Sequence, residues 1–304
     1  MLPSVLKARL LPIILTLSYC PTALTLRAAG SKLPQWSTRN LHTSQNIYNL
    51  TVYPNNKPML ENGAAAVPPG LFNNEATGRV SPIGNFSGFD DSIEYFIALA
   101  PAPQNDPGVA FYAAEVVEFT SGCPDVAASV VYQRTGTVDP VTAELDKSKP
   151  TSTLTQIAFW KFDSSGAVLR YAAWIAATTG IEFSNVVVDH AAPAALCPVI
   201  QQRCTGGNRQ YFDTLTCNTA LQLKPFGSSD EAWGDDIVCR AIHLVLTQVG
   251  PEVHCPHVGP KGGEAPDNYE CVDIDYSEEY FDDAALFAPP LGAVFTCGGP
   301  LLPE

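Results

Sequence analysis

Apolar and polar positions alternate most clearly over residues 153–175. There Thr-Leu-Thr-Gln-Ile-Ala-Phe-Trp-Lys-Phe and Val-Leu-Arg-Tyr-Ala-Ala-Trp-Ile flank the polar turn Asp163-Ser164-Ser165-Gly166-Ala167. Two runs rich in β-branched and aromatic residues around a glycine-containing turn predict an antiparallel hairpin. Successive side chains of a strand face opposite ways, so Leu154, Ala158, Trp160 and Phe162 share one face while Ile157 and Phe159 share the other. Both faces are mostly apolar, and such a hairpin needs cover on one side and a core or apolar cavity on the other.

Two further strands follow from alternation over residues 110–120 and from Val126 and the Val130-Val131-Tyr132 run within 125–134. With the hairpin they make at least a four-stranded, curved antiparallel sheet, interrupted by a polar loop over 136–151. Ile93, Phe96 and Ile97 keep helical spacing behind Asp90 and Ser92, and Pro101 and Pro103 stop that helix. Residues 54–88 carry five prolines among Gly and Asn and read as turns. Residues 26–43 read as a mobile arm. Beyond Thr178 one helix stands out: Ser228-Ser229-Asp230-Glu231 offers a capping box, and an apolar stripe from Trp233 to Val249 ends at Gly250-Pro251.

Composition bounds the function. Of 304 residues, 46% are hydrophobic and 16% charged, the signature of a globular chain with a real core. A net charge of -14 without clustered Lys or Arg argues against nucleic acid as a partner. Lys7 and Arg9 before the apolar run from Leu10 to Leu17 read as an export signal over 1–25, too short to span a bilayer comfortably, so no membrane role is expected after its removal. Eight cysteines follow the leader: Cys123, Cys197, Cys204, Cys217, Cys239, Cys255, Cys271 and Cys297. That even number suits disulfides in an oxidising compartment. The sequons at Asn49 and Asn85 agree with a secreted glycoprotein. The expected division is a leader over 1–25, an arm over 26–43, a sheet domain over 44–178 and a cysteine-rich region over 179–304.

The short helix carrying Ile93-Glu94-Tyr95-Phe96, with Gly78-Arg79, Pro82-Ile83-Gly84 and Phe89 before it and the curved sheet after it, resembles the nuclear-transport-factor-like cone fold of SnoaL-like cyclases and isomerases. Trp233-Gly234-Asp235-Asp236, Cys239-Arg240 and His243, through to His254-Cys255-Pro256-His257-Val258-Gly259, resembles a group of secreted, cysteine-rich fungal proteins. The resulting fold class is α+β, a cone-like sheet with covering helices plus a disulfide-rich C-terminal extension. The resemblance implies an apolar cavity holding a few polar groups, proton-transfer chemistry by Asp, His or Tyr on a small apolar metabolite, no cofactor, and a homodimer through the outer sheet face.

Within such a cavity an isolated carboxylate has its pKa pushed upward and becomes useful near neutral pH, which makes Glu118, Tyr132 and Asp91 (or Glu94) the catalytic candidates. The plainer use of Glu118 is a solvated sheet edge, and that of Asp91 and Glu94 is to start a helix. Tyr95, Tyr112, Trp160, Tyr171 and Trp174 are the candidate pocket lining; packing is their plainer use. His254 and His257, three apart, are of a type that binds zinc or copper, with His243 and Asp189-His190 elsewhere. Cys255 has a better use in a disulfide, and an extended Pro256 would direct the two imidazoles apart, so no metal is expected. Asp236, Arg240 and His243 read as a solvated, salt-linked helix face. Lipase, zinc-protease and nucleotide-loop motifs are lacking. Two functions fit: a cofactor-independent cyclase or isomerase of secondary metabolism, or a non-catalytic extracellular protein stabilised by disulfides for binding or host interaction.

Overall fold

A computed structural model describes residues 34–81, 83–103, 106–179, 186–228, 234–264 and 268–273. The expected leader, Trp233 and Cys297 lie outside them. The chain starts with α1 (Gln35–Asn49) and α2 (Lys57–Asn62), followed by β1 (Phe72–Ser81) and β2 (Gly84–Ser87). Next come α3 (Phe89–Ile93), which runs directly into a π-helical turn (Glu94–Ala98), and four long strands, β3 (Gly108–Cys123), β4 (Val126–Val138), β5 (Ser152–Phe162) and β6 (Val168–Thr179). The cysteine-rich region contributes α4 (Val186–Arg203), α5 (Thr214–Leu221), α6 (Ile237–Leu246), α7 (Pro251–His254) and a two-residue ribbon, β7 (Gly263–Glu264) and β8 (Asn268–Tyr269).

Six strands form one sheet in the order β2-β1-β6-β5-β4-β3. The predicted hairpin is β5–β6, with Trp160 opposite Tyr171. The register slips three times between β3 and β4 and twice between β5 and β6, and such bulges bend a sheet. Two expectations are corrected. The sheet is mixed, because β1 runs parallel to β6, and it has two strands in the stretch read as turns. Of the prolines that suggest turns, Pro54, Pro58, Pro68 and Pro69 precede β1, whose Phe72, Ala76 and Val80 are buried, and Pro82 lies outside the described residues. Gly78 is required there: a Cβ would lie 2.4 Å from the Tyr171 carbonyl oxygen.

The supposed arm is corrected as well, since α1 is helical from Gln35 and buries Ser37, Asn40, Thr43 and Ser44. Its polar side chains grip hairpin turns. Arg39 donates to the Ser164 and Pro124 carbonyls, Asn40 to Pro124, and Thr43 to Gly166. Gly166 itself adopts a φ of 94°, and Asp163 Oδ1 accepts from the backbone N–H groups of Ser165, Gly166 and Ala167. No apolar stripe announces a helix whose buried face works by hydrogen bonds.

Against the concave face pack Tyr48, Phe72, Phe86, Phe96, Trp160 and Tyr171, mostly edge to face. Trp160 is fully buried and its Nε1–H donates to Ser129 Oγ at 2.9 Å; Tyr48 donates to Gln156 at 2.6 Å. What remains open inside is a cavity of about 90 Å³ bordered by Tyr95, Phe96, Leu99, Ala100 and Gln156. A larger groove of about 650 Å³ runs between α2 and the end of the π-turn on one side and α4 and α6 on the other. Leu99 and Ala100 border both.

Disulfides hold the C-terminal region. Cys197–Cys217 joins α4 to α5, Cys204–Cys255 joins the end of α4 to the end of α7, and Cys239–Cys271 joins α6 to the segment after β8. Cys123 is also half of a disulfide. Asp236 caps α6 by accepting from Cys239 N at 2.8 Å, so the cap lies at Asp236; Ser229-Asp230-Glu231 of the expected capping box lie outside the described residues. Among the described residues no helix is long and apolar enough to cross a membrane.

Candidate functional site

Four short pieces of chain meet beside the cone: the π-turn with Glu94 and Tyr95, α6 with His243, α7 and its following turn with His254 and His257, and the strand end with Glu270. A π-turn widens the helix by one residue, a feature common at functional positions, and here it is the segment that carries both Glu94 and Tyr95. Gly250-Pro251 starts α7 with proline at its first position, where the missing N–H is harmless. The backbone then stays coiled, with His257 N bonded to the His254 carbonyl at 3.2 Å. That corrects the expectation of an extended Pro256. Both imidazoles fall on one side of the coil, their ring centres 5.7 Å apart, and His243 lies 5.4 Å from one and 4.5 Å from the other.

The polar atoms are closely spaced. His243 Nδ1 stands 3.2 Å from His254 Nδ1, 3.0 Å from His257 Nδ1 and 3.4 Å from the Tyr95 hydroxyl. The second ring nitrogens face carboxylates: His254 Nε2 is 2.6 Å from Glu94 Oε2, and His243 Nε2 is 2.9 Å from Glu270 Oε2. Tyr95 also donates to Glu270. All three histidines are at most 3% exposed, whereas the Glu270 side chain keeps 32%.

Burial pushes His243 below its ordinary pKa, outweighing the hydrogen bond that it donates to Glu270, so the ring is neutral at neutral pH. Burial, then the neighbouring Glu270 charge, pushes the Tyr95 phenol well upward. Desolvation alone would raise Glu270, but the hydrogen bonds from His243 and Tyr95 and the nearby imidazoles hold it down at about 2. The centre therefore combines a neutral imidazole, an ionised carboxylate and a reluctant phenol, the parts of a proton relay. His243, His254, His257 and Glu270 also offer ligand atoms within 4.8 Å of one another, close enough to hold one metal ion. Cys239 and Cys271 lie near His243 but are joined to each other, which removes them as ligands.

Arg240 secures the floor. Fully buried, it donates to the carbonyls of Gly259 and Asp236 and to Asp235 Oδ1. The face with Asp236, Arg240 and His243 is thus buried, not solvated as expected, because the loop after α7 covers it. Asp189 is half-buried and His190 exposed on α4.

Of the residues singled out from sequence, Glu94, Tyr95, His243, His254 and His257 belong to this centre. Glu118 is exposed on β3, an edge strand, and borders neither the groove nor the small cavity. Tyr132 lies on the opposite face of β4 from Val131 and Gln133, under the Arg134 guanidinium at 5.0 Å. Asp91 sits half-buried in the first turn of α3. Trp160 and Tyr171 are core residues. Tyr112 packs beside Leu145 near Gly136, and Trp174 lies on the outer face between Arg79 and Phe159. Asn49 is exposed at the end of α1, and Asn85 lies on β2. Glu270 is the residue that sequence reasoning does not find, because nothing in the chain shows it meeting the histidines; the His-X-X-His spacing, with His243 named beside it, is the available signal.

Residues 164–274 match the BfoA family C-terminal domain, a segment that contains His243, His254, His257 and Glu270. Over 262 residues the chain is 24% identical to the bifonsecin B biosynthesis cluster protein A of Aspergillus brasiliensis, covering 79% of this chain and 82% of that protein. Over 96 residues it is 30% identical to the aurasperone B biosynthesis cluster protein A of Aspergillus niger, covering 31% and 32%. Among solved structures it is similar to a putative SnoaL-like polyketide cyclase from Jannaschia sp. CCS1, with TM-score 0.31 and 11% identity over 47% of this chain and 90% of that one. A ketosteroid isomerase-like protein from Erwinia carotovora atroseptica gives TM-score 0.30 and 11% identity over 47% and 98%.

Proposed function

We propose that this protein acts in the biosynthesis of a small apolar secondary metabolite, catalysing a proton-transfer step such as a cyclisation or isomerisation at the Tyr95–His243–Glu270 centre. The likeness to one biosynthesis cluster protein over about four-fifths of the chain, and to a second over 31% of it, supports the pathway role. The observation that carries the chemistry is the Tyr95 hydroxyl, which donates to ionised Glu270 and touches neutral His243 while its ring borders the cavity inside the cone. That cavity, at about 90 Å³, is below the ~300 Å³ of an ordinary ligand pocket, so we place the bulk of the metabolite in the groove of about 650 Å³, which Tyr95, His243 and Glu270 do not line, with its reacting end passing Leu99 and Ala100, shared by both, to Tyr95. Arg203 and Lys57 border the groove and suit a phenolate or carboxylate oxygen on an otherwise apolar ligand. Three disulfides in the C-terminal region suit the export expected from the sequence.

The test is to replace the gene in a producing strain with a Tyr95→Phe allele and compare culture extracts with those of the parent and of a clean deletion. Loss of the end product and build-up of a precursor in both supports the reading; an unchanged metabolite profile in the deletion rejects it. A second reading, a non-catalytic exported binding protein, is favoured by the filling of the cone with Trp160, Phe96 and Tyr171. It predicts that Tyr95→Phe behaves as the parent while the deletion does not.

A further inference from the structure

We propose that His243, His254 and His257 bind one divalent zinc-type metal ion through their Nδ1 atoms, with the fourth position facing the Tyr95 hydroxyl. The inference starts from the centre described under the proposed function and names what that centre holds. Glu94 and Glu270 face Nε2 of His254 and of His243 at 2.6 and 2.9 Å, where a ring N–H meets a carboxylate oxygen, so Nδ1 of each ring is turned inward. The two Nδ1 atoms stand 3.2 Å apart, both placed to ligate. His243 Nδ1 has one lone pair, yet three polar atoms crowd it at 3.0, 3.2 and 3.4 Å. One hydrogen bond can satisfy only one of those contacts. A cation among them satisfies all.

The spacing agrees. Ligands on a tetrahedral zinc at ~2.0–2.1 Å lie about 3.3 Å from one another, and His243 Nδ1 stands 3.2 and 3.0 Å from the Nδ1 atoms of His254 and His257. Carboxylates behind the ligating histidines, as Glu94 and Glu270 stand here, are the usual outer partners of such sites. The backbone is also fixed in advance: Cys239 lies one helical turn before His243, Cys255 between His254 and His257, and Cys271 next to Glu270, and all three are in disulfides. A bound ion of this kind would polarise a substrate oxygen or lower the pKa of a bound water.

The full-length, disulfide-bonded protein, stripped with a chelator, should take up one Co²⁺ per chain with the intense visible bands of a tetrahedral ion, and Zn²⁺ should displace it. His257→Ala should lose this binding, and His190→Ala, at an exposed histidine, should keep it. Glu94→Gln preserves volume and the metal ligands and should weaken affinity by about 10- to 100-fold at unchanged stoichiometry. It serves if the histidine variant fails to fold. A wild-type chain that binds neither ion overturns the proposal, as does binding indifferent to both His257→Ala and Glu94→Gln. Metal uptake is read without substrate, so a centre that makes product yet binds no ion sinks this inference alone.

Discussion

His254 donates from Nε2 to Glu94 Oε2 at 2.6 Å, joining positions 160 residues apart and tying the cysteine-rich region to the floor of the cone. Gly250 lets the chain pass close by, since a Cβ there would lie 3.2 Å from Glu94 Oε1. The Glu94 side chain keeps only 16% exposure. Glu94→Ala should therefore leave a buried imidazole without its acceptor and lower stability by about 1–3 kcal/mol, read as a lower urea midpoint at pH 7. An unchanged midpoint would mean that water replaces the carboxylate without loss.

Trp160 fills the cone and spends its N–H on Ser129. Trp160→Ala should lower stability by about 3–5 kcal/mol and enlarge the cavity beside Phe96, so that an apolar dye that the parent ignores binds the variant. If the variant is as stable as the parent, the cone is not closed by this ring.

Asp235 accepts from buried Arg240 at 2.7 Å and from Lys224. Desolvation opposes these bonds but they prevail, holding its carboxyl below the ordinary 3.8. A depressed carboxyl stabilises the fold above its unfolded pKa and stops doing so as the pH falls through the folded value. The melting-temperature gap between parent and Asp235→Asn should thus be widest above pH 5 and shrink below about 3.8. A gap that is constant with pH would show that the charge on Asp235 contributes nothing.

Reduction should separate the two halves. The sheet relies on its aromatic core, while α4 to α7 rely on three cross-links, each worth about 2–5 kcal/mol. Amide exchange in dithiothreitol should accelerate first in α4 to α7 and last in β4 to β6. Simultaneous loss of protection throughout would mean that the halves stand or fall together.

The hairpin of β5 and β6 could be read directly because alternation with a period of two records which side of a sheet is covered, and Trp160 and Phe162 obey it. β1 could not: Asn73, Asn74 and Glu75 are poor strand formers, and its place is set by parallel pairing to β6. α1 escaped for the opposite reason, since Asn40 and Thr43 are buried by bonding to turns that the sequence does not locate. In the site, His254 and His257 are legible as a pair, but the proline between them predicts extension where the chain coils, and their third partner comes from a helix face whose charged spacing predicts solvent. Distant contacts such as Tyr95 with Glu270 leave no local pattern.

The half-cystines that flank His243, the two later histidines and Glu270 set an order of events. Closing those sulfur pairs in the correct combination should precede the meeting of these side chains, so material made in a reducing cytosol should carry every required residue and still arrive blank.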